Sequence, residues 1–209
     1  MVYAVRMGLR ERKKEQTRRR IAEVALRLFD ERGYDAVTVN EIAEAAGVAK
    51  VTLFNYFPTK DCLVTEGIKD DLAAIVAGRP EGVTPLGALR EHYRALAAQG
   101  AGEMDVESLL TRVRVISSSQ ALMGALHGVR MGERYELAEA LKEAHRGDDL
   151  TAQLMAAQIT AAVTTVQEAF FQRIAAGVPL EEAGGRLAGD VEVAFDLLEH
   201  GLTTKGDKS

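Results

Sequence analysis

The stretch TVNEIAEAAGVAKVTLFNYFPTKDCLV, residues 38–64, decides the fold of this 209-residue chain. Thr38 followed three positions later by Glu41 is a capping-box pattern, and it predicts the start of a short helix that ends at Gly47. A second short helix is predicted over about 50–56, before a proline interrupts the pattern. Two short helices separated by a tight turn predict a helix-turn-helix.

The second of these helices has an inner and an outer face. Leu53 and Phe57 are one turn apart, and we expect both to face the core. The opposite face then offers side chains that suit a major groove: Lys50 can donate to guanine, Asn55 can pair with an adenine edge, and Val51 can touch a thymine methyl group. The predicted DNA-binding residues are Thr38, Asn40, Lys50, Val51, Thr52, Asn55, Tyr56 and Lys60.

Charge is distributed unevenly along the chain, although the formal net charge is only −5. Residues 1–20 carry eight basic and two acidic side chains, whereas the remainder carries 18 basic and 29 acidic ones. The basic residues of this arm are Arg6, Arg10, Arg12, Lys13, Lys14, Arg18, Arg19 and Arg20. Alone, such an arm is typical of a solvated tail. Because it adjoins a helix-turn-helix, it indicates contacts to DNA phosphates, to which Lys60 and the hydroxyls of Thr52 and Tyr56 contribute.

Beyond residue 60 the apolar spacing stays helical, and no alternating β-branched segment is long enough for a strand, so the predicted fold class is all-α. Predicted breaks fall at 78–84, 100–102, 147 and 177–179, where glycine and proline concentrate. The predicted helices cover 11–32, 38–47, 50–56, 60–77, 85–99, 104–118, 119–129, 131–146, 149–176 and 180–201.

Composition narrows the function classes. The chain has no apolar run of membrane-spanning length and no signal-peptide pattern, so we expect a cytoplasmic protein that does not contact membranes. Cys62 is the single cysteine, which excludes an intramolecular disulfide and a thiolate metal site. The sequence has no metalloprotease, P-loop, nucleophile-elbow or dinucleotide motif. We therefore expect neither an enzyme nor a bound metal or cofactor.

The segment around the helix-turn-helix resembles the DNA-binding domain of the TetR family, whose usual run is Ile-Ala, then Ala-Gly-Val, a Thr-Leu-Tyr and a Phe followed by Lys. The resemblance covers roughly residues 12–64. Matching residues are Thr38, Ile42, Ala43, Ala46, Gly47, Val48, Thr52, Leu53, Tyr56, Phe57, Lys60 and Leu63. Two positions depart: Ala49 stands where the family commonly has a capping serine, and Phe54 replaces a common tyrosine.

The resemblance implies an organisation and a mechanism. Residues 1–60 would form the DNA-binding domain with its basic arm, and residues 61–209 the effector-binding and dimerisation domain. A homodimer would repress transcription from a near-palindromic operator until a small-molecule effector released it, with the predicted helix 60–77 carrying the change. The alternative is a helical ligand-binding or adaptor protein without sequence-specific DNA binding, and the departures at Ala49 and Phe54 motivate it.

The resemblance also assigns dimerisation to the last two long helices. The final helix carries an apolar stripe that by pattern alone is more typical of intramolecular core, and the resemblance places it at the dimer interface instead. The stripe comprises Leu187, Val191, Ala194, Phe195 and Leu198.

Candidate effector-binding residues are polar or adaptable side chains on otherwise apolar helices: His92, Tyr93, Arg112, Met123, His127, Tyr135, Gln167 and Phe171. Arg112 is a cation on a mainly apolar helix, and it needs either a carboxylate partner or an anionic ligand. The segment RVRVISSSQALMGAL, residues 112–126, resembles a branch of the family associated with acyl-coenzyme A thioesters, which implies an acyl-coenzyme A-like effector.

Overall fold

The computed structural model describes residues 9–65, 68, 70–98, 105–145 and 148–201. Within these residues every regular element is an α-helix, so the predicted all-α class is confirmed. Arg6 of the arm and the predicted breaks at 100–102 and 147 lie outside the described residues. The helices are α1 (Leu9–Arg32), α2 (Val39–Ala45), α3 (Lys50–Tyr56), α4 (Cys62–Thr65), α5 (Leu72–Ala77), α6 (Pro85–Ala98), α7 (Val106–Ser118), α8 (Gln120–His145), α9 (Asp149–Ala175) and α10 (Leu180–His200).

The chain forms two compact units. The first comprises Met1–Ile68 and Thr111–Leu126, and the second comprises Lys69–Leu110 and His127–Ser209. The first unit therefore extends past residue 60 and includes a later segment of the chain. The predicted assignment of DNA binding to residues 1–60 and of effector binding to residues 61–209 stays a prediction.

Local chemistry explains how the first unit begins. The first helix ends at Arg32, as predicted, and is followed by Gly33, whose φ of +82° is left-handed. Thr38 and Glu41 form the predicted capping box at the start of α2. Gly47 has φ +63° and makes the turn between α2 and α3, where the Val48 amide donates to the Ala43 carbonyl over 2.9 Å. The capping box and the glycine turn that predicted the helix-turn-helix are thus both present in the structure.

The core of the first unit is apolar and closely packed. Phe29 of α1, Ile42 of α2, and Leu53 and Phe57 at α3 are each at most 2% exposed and belong to one cluster. Burying side chains of this size stabilises a fold by about 1.5–3 kcal/mol each. This cluster fixes which face of α3 points outward.

Two helix predictions are wrong. In place of the helix predicted over 60–77 there are two short helices, α4 and α5. Asp71, immediately before α5, has a left-handed φ of 49° and cannot continue an α-helix. The connection expected to carry an effector signal is therefore not one helix. Conversely, the helices predicted over 119–129 and 131–146 are one helix, α8, because no proline interrupts the segment and its glycines are tolerated inside a helix.

The second unit is organised around α6, α9 and α10, which pack together. Ion pairs reinforce this arrangement: Arg90 of α6 binds Glu192 and Asp196 of α10, and Arg173 of α9 binds Asp190 of α10. None of the helices in the described ranges is long and apolar enough to cross a membrane.

The apolar stripe of α10 faces inward. Val191 and Phe195 are 1% and 2% exposed and belong to the core of the second unit, where Leu187 and Leu198 pack against them. Val191 and Phe195 are therefore core residues, as the pattern alone indicates, and their placement at a dimer interface is wrong. The exposed apolar side chains of α10 are instead Val193 and Leu197.

Candidate functional site

Helix α3 presents an exposed face opposite its buried side. Leu53 is 0% exposed, whereas Val51 is 67% exposed, and Lys50 and Asn55 are also exposed. Phe54, at 39% exposure, extends the same outer surface. Because the core holds α3 through Leu53 and Phe57, the outer side chains are free to contact another molecule.

The remaining predicted DNA-binding residues of α2 and α3 lie in different settings. Asn40 is exposed on α2, and Thr52 and Tyr56 are half-buried on α3. The Thr38 hydroxyl donates to Glu41 over 2.7 Å, and the Glu41 amide donates back to it over 3.3 Å. The Glu41 carboxylate accepts hydrogen bonds from the Thr38 hydroxyl, from the Thr38 backbone amide over 2.8 Å and from Arg32, and these lower the pKa of Glu41 to about 2. Thr38 therefore has a structural role as the helix cap.

Lys60 is held within the first unit. Its ammonium group donates to the Tyr34 carbonyl over 2.5 Å and lies 4.0 Å from the centroid of the Tyr34 ring. Partial burial lowers the pKa of Lys60. The structure thus gives Lys60 a role in holding the segment before α4 against the loop that follows α1. Its predicted contact to phosphate stays a prediction.

The described part of the basic arm is the first half of α1. Arg10, Arg12, Lys13 and Lys14 are exposed there. Further along, Arg18 stacks on the Phe57 ring at 5.4 Å from its centroid. The arm therefore adds exposed cations to the same unit as α3.

The start of α3 lacks a side-chain cap. Ala49 is the N-cap residue and, as its sequence predicts, makes no side-chain hydrogen bond to the first turn. A serine or threonine there accepts a hydrogen bond from the exposed backbone amides and stabilises the helix by about 1 kcal/mol. The first turn of the candidate recognition helix thus lacks the stabilisation that a side-chain cap provides.

The second unit contains an apolar cavity of about 210 Å³ between α6, α9 and α10. Its wall includes four aromatic rings: Phe170 and Phe171 are in edge contact at 5.5 Å between centroids, and Tyr93 and Phe195 are 6.0 Å apart. The lining residues are Tyr93, Leu96, Ala97, Val163, Val166, Gln167, Phe170, Phe171, Gly184, Leu187, Val191, Ala194 and Phe195.

A small polar cluster lies beside this cavity. Gln167 Nε2 donates to Asp70 Oδ2 over 2.6 Å, and the Asp70 amide donates to Glu133 over 2.6 Å. The Tyr93 hydroxyl is buried without a hydrogen bond of normal geometry. Burial, and then the nearby Asp70 carboxylate, strongly raise the pKa of Tyr93, so this phenol stays protonated.

Only part of the predicted effector set lines the cavity. Tyr93, Gln167 and Phe171 do, but the other predicted residues do not. Arg112 is half-buried and belongs to the first unit, and burial lowers its pKa. The others that lie elsewhere are on exposed surfaces: His92, Met123, His127 and Tyr135.

Sequence reasoning missed much of the wall because these residues look like ordinary core. Val163, Phe170 and Val191 are all at most 6% exposed and fall at helical spacing, as filled-core residues do. A weak signal exists at Gly184, where a small residue on α10 leaves open space beside the aromatic side chains of α9.

One acidic cluster near the end of α10 has donor atoms close enough to hold a metal ion. Ligand atoms of Asp196, Glu199 and His200 lie within 4.8 Å of one another. Arg90 already pairs with both carboxylates, at 2.7 and 3.1 Å. The guanidinium therefore supplies the positive charge there, and we assign this cluster to the contact between α6 and α10.

The fold and the exposed face of α3 define an all-α helix-turn-helix protein. Residues 21–66 match the family model described as "Bacterial regulatory proteins, tetR family". The helix-turn-helix segment thus matches the DNA-binding domain of this family, as the sequence resemblance predicted.

Curated relatives agree with this assignment. The chain is 33% identical over 158 residues to the HTH-type transcriptional regulator TcmR of Streptomyces glaucescens, covering 72% of this chain and 64% of TcmR. It is 31% identical over 124 residues to the HTH-type transcriptional regulator RutR of Escherichia coli, covering 58% of each protein. In these matches the chain spans less than two thirds of the relatives' length.

Among solved structures, SmeT in its complex with triclosan is similar in fold, with a TM-score of 0.56 and 17% identity over 91% of this chain and 93% of SmeT. At this identity the likeness supports the fold alone.

Proposed function

We propose that this chain is a transcriptional repressor that binds a near-palindromic DNA operator as a homodimer and leaves it when a small-molecule effector binds. The observation that carries the proposal is the exposed face of α3, with Lys50, Val51 and Asn55 directed away from a filled core. A recognition helix needs this arrangement, because base edges are read by side chains that project from a rigid helix.

The chemistry of this face suits a major groove. Lys50 can donate to guanine O6 or N7, Asn55 can make two hydrogen bonds to adenine, and Val51 can contact a thymine methyl group. Each good base contact discriminates against the wrong base by about 1–3 kcal/mol. The α3 face therefore supplies sequence preference, not merely attraction.

Exposed cations of the same unit supply the nonspecific part of the affinity. Arg10, Arg12, Lys13 and Lys14 lie on α1 and can neutralise phosphates. Releasing the condensed counterions makes such binding weaken steeply as salt concentration rises. The acidic remainder of the chain repels DNA, so it favours approach through the basic end.

The proposed dimer interface lies on the exposed faces of α9 and α10. Leu150 and Leu154 are 66% and 52% exposed one turn apart on α9, and Val193 and Leu197 are exposed one turn apart on α10. Because α9 and α10 are joined by a short turn, the start of α9 and the end of α10 lie at the same end of the pair. Exposed apolar faces of this kind are typical of protein interfaces.

Two recognition helices about 34–36 Å apart would reach successive major grooves on one side of the DNA. The effector would bind in the cavity between α6, α9 and α10 and favour a dimer conformation with lower operator affinity. An effector alters DNA binding only as far as its affinity differs between the two conformations.

The test is selection of bound sequences from a random DNA pool by the purified protein, followed by a salt titration on the enriched sequence. We expect a palindromic motif whose affinity falls steeply with salt concentration. No enriched motif at any salt concentration would contradict the proposal and favour the ligand-binding or adaptor alternative.

Dimerisation is tested separately by sedimentation of a Leu154→Glu, Leu197→Glu double variant. We expect a monomer with weakened operator binding. Val83→Glu is the matched control, because Val83 is also an exposed apolar residue but lies outside α9 and α10. A double variant that remains dimeric would exclude this face as the interface.

A further inference from the structure

The volume of the cavity suits a small ligand. A volume of about 210 Å³ is somewhat larger than the cavity of about 150 Å³ that can hold benzene. One aromatic ring with small substituents therefore fits between α6, α9 and α10. The Phe170, Phe171 and Phe195 side chains in the wall suit such a ring, because offset and edge contacts between aromatic rings are favourable.

The side-chain amide of Gln167 is held in one orientation at the wall of the cavity. Its side chain lines the cavity and donates from Nε2 to the Asp70 carboxylate over 2.6 Å. An ionised carboxylate only accepts hydrogen bonds, so the amide nitrogen has to face Asp70. Gln167 Oε1 is then left as the acceptor on the other side of the amide.

Asp70 is itself held in place. Its backbone amide donates to the buried Glu133 carboxylate over 2.6 Å, so Glu133 of α8 positions Asp70 and Asp70 positions the Gln167 amide. The two carboxylates behind Gln167 also make this end of the cavity unfavourable for an anion. Rotating the Gln167 amide would place its oxygen against a carboxylate oxygen, which the same electrostatics oppose.

Tyr93 contributes its ring to the wall but not its hydroxyl. The side chain is 6% exposed, and its hydroxyl oxygen is buried beside the Asp70 carboxylate. The polar group offered by this end of the cavity is therefore the Gln167 carbonyl.

We infer that the cavity selects a compact aromatic molecule bearing a hydrogen-bond donor, a phenol or an aryl amine, and that Gln167 is the residue that recognises the donor. The inference rests on the proposed function only in naming this ligand as the effector; the binding itself is independent of DNA.

Titration calorimetry of the full chain without DNA tests the inference directly. The probes share one shape: 4-ethylphenol, 4-ethylaniline, ethylbenzene and 4-ethylbenzoate. We expect at least one donor probe to bind about fivefold more tightly than ethylbenzene, since one neutral hydrogen bond contributes on the order of 1 kcal/mol. The phenol and the aniline then distinguish a hydroxyl from an amine ligand, and 4-ethylbenzoate is expected to bind most weakly.

Two variants test the role of Gln167. Gln167→Leu removes the acceptor while keeping an apolar side chain, and we expect the preference of the donor probe over ethylbenzene to disappear. Tyr93→Phe removes a hydroxyl that has no access to the cavity, and we expect it to keep the preference. Loss of the preference in Tyr93→Phe but not in Gln167→Leu would overturn the assignment.

A matched glycine pair tests the location without relying on Gln167. Gly184 lines the cavity and Gly185 does not, and a Cβ atom added at either position meets nothing within 4 Å. Gly184→Leu should abolish binding of all four probes, whereas Gly185→Leu should leave it unchanged. Equal effects of the two changes would show that the probes bind elsewhere.

Other outcomes with the wild-type protein also overturn the inference. These are equal affinity for ethylbenzene and both donor probes, tightest binding of 4-ethylbenzoate, or tighter binding of octanoyl-coenzyme A, which would support the acyl-coenzyme A prediction. A protein that binds a donor probe but selects no DNA motif would retain the cavity assignment and lose the proposed function. A protein that selects a DNA motif but binds the donor probes no more tightly than ethylbenzene would support the proposed function and contradict the assignment of the cavity ligand.

Discussion

The two units of this protein use their apolar residues differently. In the first unit a filled core fixes α3, and the side chains proposed to act, such as Asn55, project outward from it. In the second unit residues such as Phe170 and Phe195 are at once core and cavity wall. In the first unit, a mutation at the proposed binding surface should therefore change function without changing stability. In the second unit, a mutation in the cavity wall should change both.

The largest effect is expected at the core of the first unit. Phe57 is 2% exposed, and Phe57→Ala should reduce the free energy of unfolding by about 3–5 kcal/mol, because it removes buried surface and leaves a void. Phe171→Ala should cost less, because Phe171 is only half-buried and borders an existing cavity. Chemical denaturation monitored by circular dichroism measures both changes.

The exposed residue Asn55 is the control for this comparison, and Asn55→Ala should change stability by no more than about 0.5 kcal/mol. If Phe171→Ala were as destabilising as Phe57→Ala, the wall of the cavity would be packed like a filled core, and the contrast between the two units would fail.

The next largest effect concerns DNA binding. Asn55→Ala should weaken binding to the selected operator by about 1–3 kcal/mol and relax the preference at one or two base pairs, since it removes a base contact. Lys50→Ala should relax a different position. Competition binding against operators substituted at each base pair measures this directly. A uniform loss across all sequences would instead indicate that these side chains contact only the backbone of the DNA.

Lys60 sharpens this test because the structure gives it a packing role. Sequence reasoning predicts that Lys60→Ala weakens all DNA alike, through loss of a phosphate contact. The hydrogen bond to Tyr34 predicts a loss of stability as well. A change of base preference in this variant would contradict both roles.

The same contrast explains what the sequence could predict. The turn at Gly47 and the cap at Thr38 depend on a few adjacent residues, so the helix-turn-helix was predictable locally. The break at Asp71 was not, because a left-handed aspartate leaves no pattern in the sequence. The pattern of the α10 stripe correctly indicated that Val191 and Phe195 face the core, whereas the family resemblance indicated a dimer interface.

The cavity lay beyond sequence reasoning for a physical reason. A cavity is defined by side chains that fail to meet, and apolar periodicity is the same whether the space between helices is filled or empty. Tyr93, Gln167 and Phe171 were found because they are polar or aromatic among apolar neighbours. The orientation of the Gln167 amide depends on Asp70, which is 97 residues away in the chain.

A smaller effect is expected at the uncapped start of α3. Ala49→Ser should raise the free energy of unfolding by about 1 kcal/mol, because the new hydroxyl can accept a hydrogen bond from the first turn. Ala49→Gly should not reproduce the gain, since it supplies no side-chain acceptor. If both variants were equally stable, the gain would come from the backbone and not from capping.

The smallest effect is a dependence of stability on pH that both units share. Hydrogen bonds from Thr38 and Arg32 lower the pKa of Glu41 from 4.5 to about 2, and those from Arg94 and Arg90 do the same for Glu192. A carboxyl group whose pKa is lower in the folded state stabilises the fold fully above its unfolded value. That contribution is lost as the pH falls from about 4.5 toward 2.

Both carboxylates are 38% exposed, so screening by water and salt keeps these contributions small. Glu41→Gln should reduce the acid sensitivity of the first unit, and Glu192→Gln that of the second, each measured as the change in melting temperature between pH 6 and pH 3. Added salt should weaken the difference for both. If one variant kept the pH dependence of the wild type, the ion pairs of that carboxylate would form without stabilising its unit. The two units would then differ in electrostatics as they do in packing.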